Sequence, residues 1–222
     1  MNIFEFRNNL NRAAFTLAEV LITLGIIGIV AAMTIPTLMN NTQDSQYKSG
    51  LKKAYSVLSQ VYLSIANDNG GAFASAFSSC GAADTNASNT CFKDVIKAKL
   101  QYAKECDGGS ALGTCLSTQA NTKTLDGNAA NNWGLSNTLA GLIFNDGSSL
   151  GIHFAGTGVN SGWLIIDVNG LKQPNTWGRD IFLFYYDARH IFPAAPSTEL
   201  NVDDCISTGL GHSCPGKYLM GN

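Results

Sequence analysis

Residues 15 to 39 read FTLAEVLITLGIIGIVAAMTIPTLM, and this stretch decides what kind of chain the sequence encodes. From Val20 to Met39 no residue is charged. Wound as a helix, that run spans about 30 Å, the thickness of a bilayer's hydrocarbon core. Arg7 and Arg12 precede it and no Lys or Arg follows until Lys48. By the positive-inside rule the N-terminus then stays in the cytoplasm and the remainder lies outside. An ordinary secretory signal has a shorter apolar region that ends in small residues. Here the small pair Ala13-Ala14 stands before the run, and Glu19 sits just inside its start. A carboxylate at that depth needs a partner or a function.

The segment Ala14-Phe15-Thr16-Leu17-Ala18-Glu19-Val20-Leu21-Ile22 is similar to the cleavage and methylation motif of type IV prepilins and type II secretion pseudopilins. That resemblance implies a leader peptide of residues 1–14, removed by a prepilin peptidase between Ala14 and Phe15, and N-methylation of the new Phe15 amine. It implies an assembly role for Glu19, the fifth mature residue. Gly28 and Pro36 fall where many pilins loosen this helix, and Pro36, lacking an N–H, is expected to kink it. The family usually has Gly before the cut; this chain has Ala14, the next smallest side chain. The partners implied are copies of the chain or related pilins, the peptidase, an inner-membrane assembly platform and membrane lipid.

Beyond Met39 the pattern becomes amphipathic, with Tyr47, Leu51, Ala54, Tyr55, Leu58, Val61, Tyr62 and Ile65 at three- and four-residue steps. The turn formers Asn67-Asp68-Asn69-Gly70-Gly71 should end the helix. The expected division is therefore a transmembrane half over 15–39, an amphipathic half over 40–69, and an extracytoplasmic globular domain over 70–222. Residues 72–137 read as polar, cysteine-bearing decoration with one short helix from Phe92 to Lys104 and a surface loop over 82–89. Strand signals follow: a hairpin through Leu142-Ile143-Phe144 and Ile152-His153-Phe154 around Asn145-Asp146-Gly147, then Trp163 to Val168 and Ile181 to Tyr186. The fold class read from these elements is α+β, an antiparallel sheet packed on one long helix, and it resembles the pilin fold.

Composition agrees with an extracytoplasmic chain: 14% of residues are charged, against roughly 25% in ordinary soluble domains. A net charge of -2 provides no basic field, which excludes nucleic acid as a partner. The six cysteines, Cys80, Cys91, Cys106, Cys115, Cys205 and Cys214, all lie beyond the apolar run and form no CxxC pair, so disulfides are expected. Pairing by proximity joins them in sequence order, as one of fifteen connectivities for six cysteines.

Three patterns invite a chemical reading. Gly147-Ser148-Ser149-Leu150-Gly151 fits the GxSxG nucleophile elbow, yet a strand rather than a helix follows it, so a hairpin turn is the better reading. His153, His190 and His212 have no metal-ligand spacing and no acid partner evident in sequence. Asp167 and Asn169, beside Gly170, and Asp180, beyond Trp177-Gly178, could ligate a hard cation such as calcium; the competing reading makes them turn formers. The loop looks like the calcium-bearing loop of some pseudopilins. The function expected is thus a structural subunit of a type IV pilus-like or secretion pseudopilus filament, not an enzyme. The alternative is a membrane-anchored binding or enzymatic domain with an uncleaved anchor, which would retain Met1.

Overall fold

The structure, a computed structural model, describes residues 15–81, 83–130, 134–155, 162–196 and 204–221. The leader and Ala14 lie outside the described residues. Two compact units are present, residues 1–43 and 44–222, and helix α1 (Leu17–Asp68) contributes to both.

In the first unit the helix is bare. Leu17, Ile22, Met33 and Leu38 are 80, 62, 73 and 68% exposed, and no large apolar side chain from Phe15 to Met39 is buried. Hydroxyls here are satisfied within the helix: Thr23 donates to the Glu19 carbonyl at 2.9 Å and Thr34 to that of Val30 at 3.0 Å. Such back-bonding is what a hydroxyl needs where no water is at hand. Pro36 lies inside α1 and, lacking an N–H, leaves the Ala32 carbonyl without its usual donor. Among the described residues this is the one helix long and apolar enough to cross a membrane.

In the second unit, Leu51, Leu58, Val61, Tyr62 and Ile65 of α1 form a buried stripe at helical spacing. The helix ends where the turn formers begin. Gly70 takes φ +69°, the N–H of Gly71 returns to the Ala66 carbonyl at 2.7 Å, and the Asn69 side chain donates to the Ile65 carbonyl at 2.8 Å.

The next segment departs from expectation. Instead of a helix over 92–104, α2 spans Asn86–Lys97 and strand β1 spans Tyr102–Cys106. The start is set by a capping box between Thr85 and Ser88, inside the run read as loop. The end is set by tertiary pairing. Ala103-Lys104-Glu105 are helix formers by propensity, but Lys104 and Glu105 pair antiparallel with β2 (Ala140–Phe144), with Ala103 at a register shift beside them, and sheet pairing overrides so weak a preference. The buried Lys93 reaches from α2 to Asp107 and to Glu105 (3.0 Å), tying the two elements together.

Six strands form one antiparallel meander in chain order, completed by β3 (Ser149–Phe154), β4 (Gly162–Asp167), β5 (Ile181–Tyr186) and the short β6 (Ile191–Pro193). In register, Leu142 faces Leu150, Leu150 faces Ile166, and Leu164 faces Phe184. Side chains alternate between faces, so these even-numbered residues, with Ile152, Phe154, Phe182 and Tyr186, share one core with the α1 stripe, Phe73, Phe77 and Phe92. The odd-numbered Ile165, Ile181, Leu183 and Tyr185 enter a second core with Ala111, Leu116, Leu135, Leu139 and Trp177.

That second core corrects the reading of residues 72–137 as decoration. Their later part covers the outer face of the sheet, which is why all six residues of Ile181–Tyr186 are apolar or aromatic and buried. Three disulfides are present: Cys106–Cys115 within this second core, Cys80–Cys91 beside the first, and Cys205–Cys214. The last of them leads into α3 (Cys214–Met220), which has Pro215 in its first turn and Gly221 in the left-handed conformation at its end. The architecture is α+β and pilin-like: a long N-terminal apolar helix with an antiparallel sheet.

Candidate functional site

Two places carry the polar groups that the sequence singles out. The first is the head of α1. Thr16 is its N-cap residue: the Glu19 N–H donates to the Thr16 hydroxyl at 3.2 Å, while the Thr16 N–H and hydroxyl both donate to Glu19 Oε2 at 2.8 Å. This is a reciprocal capping box, and the carboxylate also sits where the helix dipole favours a negative charge. The T-x-x-E spacing of Thr16 and Glu19 is a capping signal legible in the sequence, and Thr16 is the partner of Glu19 that the sequence reading leaves out. Phe15, 85% exposed, stands immediately before the box.

The second place is the loop between β4 and β5. Asp167, at the end of β4, accepts from the Asn169 N–H at 3.2 Å. Asp180 accepts from the N–H groups of Asn175 (2.9 Å) and Thr176 (2.7 Å). Both carboxyls are buried. Burial pushes the pKa of Asp167 well above the usual carboxylate range, and the nearby Asp180 adds to the rise; burial likewise raises that of Asp180. Two carboxyls thus share one interior loop, where burial disfavours their charged forms.

The loop is clasped to α1. Arg179 donates to Asp44 at 2.9 Å, Asn169 Nδ2 donates to the Gln173 carbonyl at 3.1 Å and lies 3.4 Å from the Tyr47 hydroxyl, and Gly50 leaves room for Val168. Several oxygens in and beside the loop remain open. Asn169 Oδ1 and the hydroxyl of Ser149, the cross-strand partner of Asp167, are buried without a hydrogen bond among the described residues. With its amide turned, Asn175 donates to the carbonyls of Gly170 and Lys172, each at 3.2 Å. Among the described residues no three His, Cys, Asp or Glu side chains gather as a metal cluster, so a cation here would draw on the two carboxylates plus amide, hydroxyl or carbonyl oxygens.

The GxSxG serine, Ser149, opens β3 in the hairpin, with no helix behind it, so it has no elbow geometry. The histidines do have acids beside them, contrary to the sequence reading. His153 Nε2 is 2.7 Å from Asp84, His190 Nδ1 is 3.0 Å from Asp187, and His212 Nδ1 is 3.6 Å from Asp204. Asp84 lies 69 residues from His153, a proximity that only the fold creates.

The family model of the prokaryotic N-terminal methylation motif matches residues 9–35. The chain therefore carries the prepilin-type cleavage and methylation signature at its N-terminal end. Neither the curated proteins nor the solved structures hold a match to the chain.

Proposed function

We propose that this chain is a structural subunit of a type IV pilus-like filament or a type II secretion pseudopilus, acting through assembly and not through catalysis. One observation carries the reading: the methylation signature heads a helix whose apolar side chains stay exposed from Phe15 to Met39. In a bilayer, lipid covers that surface. Outside it, exposed apolar area costs about 25 cal/mol per Å², and the same segment of neighbouring copies is the chemically matched cover.

On this reading a prepilin peptidase cuts between Ala14 and Phe15, Phe15 is N-methylated, and the assembly platform extracts the subunit from the inner membrane. The globular unit lies outside the cytoplasm, where its cysteines oxidise. Glu19 pairs with the Phe15 amine of a neighbour and so sets the register of docking. The test is co-expression with an assembly machine, followed by intact-mass analysis of sheared filaments. Filaments whose subunit begins at methylated Phe15 are expected; a chain that keeps Met1 beside an active peptidase and never leaves the membrane supports the anchored-domain alternative.

We also propose that the loop over 167–180 holds a hard cation, calcium being the chemical match. Asp167 and Asp180 would supply charge and Asn169 its open Oδ1. When bound, the ion would neutralise two buried carboxylates that otherwise repel each other.

A further inference from the structure

Asp84-Thr85-Asn86-Ala87-Ser88 opens α2, and three of its side chains have evident structural work. Asp84 accepts from the Thr138 hydroxyl at 2.7 Å and faces His153. Thr85 and Ser88 form the capping box, and Ser88 is fully buried. Asn86 is different. Its side chain is exposed, and its amide makes no hydrogen bond among the described residues but lies over Gly109, whose absent side chain leaves it room. One turn on, Asn89 uses both ends of its amide, accepting from the Phe154 N–H at 2.6 Å and donating to the Thr138 carbonyl at 2.8 Å.

An exposed Asn followed two residues later by a hydroxyl is the acceptor pattern for asparagine-linked glycans on extracytoplasmic proteins. Asp84, two residues before Asn86, places a carboxylate beside the acceptor for a transferase to recognise. We propose that Asn86 is an N-glycan acceptor whose donor is a polyprenyl-pyrophosphate-linked oligosaccharide. In the transfer, Asn86 Nδ2 bonds to the anomeric carbon. The anomeric bond to the pyrophosphate oxygen breaks, polyprenyl pyrophosphate leaves with the electron pair, and the amide proton passes to a base of the transferase.

The fold sets the order of events. Ser88 is buried in the finished protein and Asp84 is engaged by Thr138 and His153, so the acceptor segment can enter a transferase only before α2 closes. The glycan would then sit on an exposed side chain at the head of the helix, beside Gly108 and Gly109, where the lack of side chains leaves space next to the Asn86 amide. A second Asn-x-Thr, Asn40-Asn41-Thr42, has Leu38 in place of the carboxylate, and its Thr42 hydroxyl is spent on the Leu38 carbonyl within α1. It serves as an internal control.

The inference rests on the globular unit being extracytoplasmic, and the experiment separates the two. The full-length chain is expressed in a bacterium carrying a prokaryotic oligosaccharyltransferase and its lipid-linked heptasaccharide, then analysed by glycopeptide mass and non-reducing mapping. Expected are oxidised cysteines, one glycan on Asn86 and none on Asn40. Asn86→Gln should abolish the glycan, Asp84→Asn should lower occupancy at least tenfold, and Ser88→Thr, which keeps the hydroxyl, should retain it. Oxidised but unglycosylated wild-type protein overturns the proposal and leaves the localisation standing. Reduced cysteines overturn both.

Discussion

Thr16 and Glu19 hold each other at the head of α1, each accepting a hydrogen bond from the other's backbone N–H. The carboxylate therefore has two roles to be separated: it caps its own helix, and on the proposed reading it meets the amine of a neighbour. Glu19→Gln keeps an acceptor for Thr16 and removes the charge. Glu19→Val removes both. If pairing governs docking, Glu19→Gln and Glu19→Val should both insert in the membrane and both be missing from sheared filaments, with Glu19→Asp intermediate because its arm is shorter. If capping is the whole role, Glu19→Gln should assemble like wild type, and filament yield of the two variants decides between them.

Calcium should raise the thermal midpoint of the globular unit in the full-length protein, and chelator should lower it. A ligand at 100 times its dissociation constant stabilises by about 2.7 kcal/mol. Asp167→Ala should abolish the difference between calcium and chelator, because one of the two buried carboxylates is then gone. An unchanged midpoint with chelator would return Asp167, Asn169 and Asp180 to the role of turn formers.

Each disulfide closes a short loop, its partners 9 to 11 positions apart in sequence. Cross-links of this size stabilise by about 2 to 4 kcal/mol. The Cys205→Ser, Cys214→Ser double variant should lose that amount in denaturant titration, since Cys214 starts α3 and Cys205 fixes the approach to it. Free thiols at these positions in protein isolated without reductant would count against an extracytoplasmic domain.

What could be read from the sequence followed the strength of its periodicities. The apolar run, the α1 stripe and the hairpin around Asn145-Asp146-Gly147 each repeat one pattern over many residues, and each stands in the structure. The boundary between α2 and β1 carries no such signal: Lys97 to Glu105 is rich in helix formers, and only pairing with β2 makes part of it a strand. The second core was hidden for another reason. Ala111, Leu116, Leu135 and Leu139 are scattered among polar residues at no fixed period, so their common burial emerges only when they fold over Ile165 and Leu183. In the loop between β4 and β5 the acids were visible, but their burial was not, and burial is what makes two ordinary turn formers costly to ionise.

Asn89 is the clearest test of how α2 is held. Its amide satisfies the Phe154 N–H at the end of β3 and the Thr138 carbonyl before β2, with the side chain fully buried. Asn89→Ala leaves two backbone groups unpaired in the interior, which costs about 2 to 4 kcal/mol by the usual penalty for unsatisfied buried groups. Neighbouring Thr90, which only returns a hydroxyl to the Asn86 carbonyl and meets the Gly108 N–H at 2.8 Å, should cost less on truncation. Equal losses for the two variants would contradict this ranking.

His153 should make the fold sensitive to mild acid. Its ring lies flat on Trp163, 3.5 Å between centroids, and its Nε2 meets Asp84 while Nδ1 is buried without a partner among the described residues. Protonation would add a donor at Nδ1 with nothing to receive it. Burial accordingly holds its pKa below the ordinary imidazole value of 6.5, with Asp84 opposing the shift. The sign follows from linkage: the unfolded chain takes up the proton first, so the stability supplied by the neutral ring is complete above pH 6.5 and is lost as pH falls from there toward the folded pKa. Burial lowers His212 in the same direction, so removing one ring should flatten the slope only in part. His153→Gln keeps an N–H for Asp84 but cannot titrate. Thermal midpoints measured between pH 7.5 and 5 should therefore fall less for His153→Gln than for wild type, and an identical slope in the two proteins would show that this ring is not the acid-sensitive group.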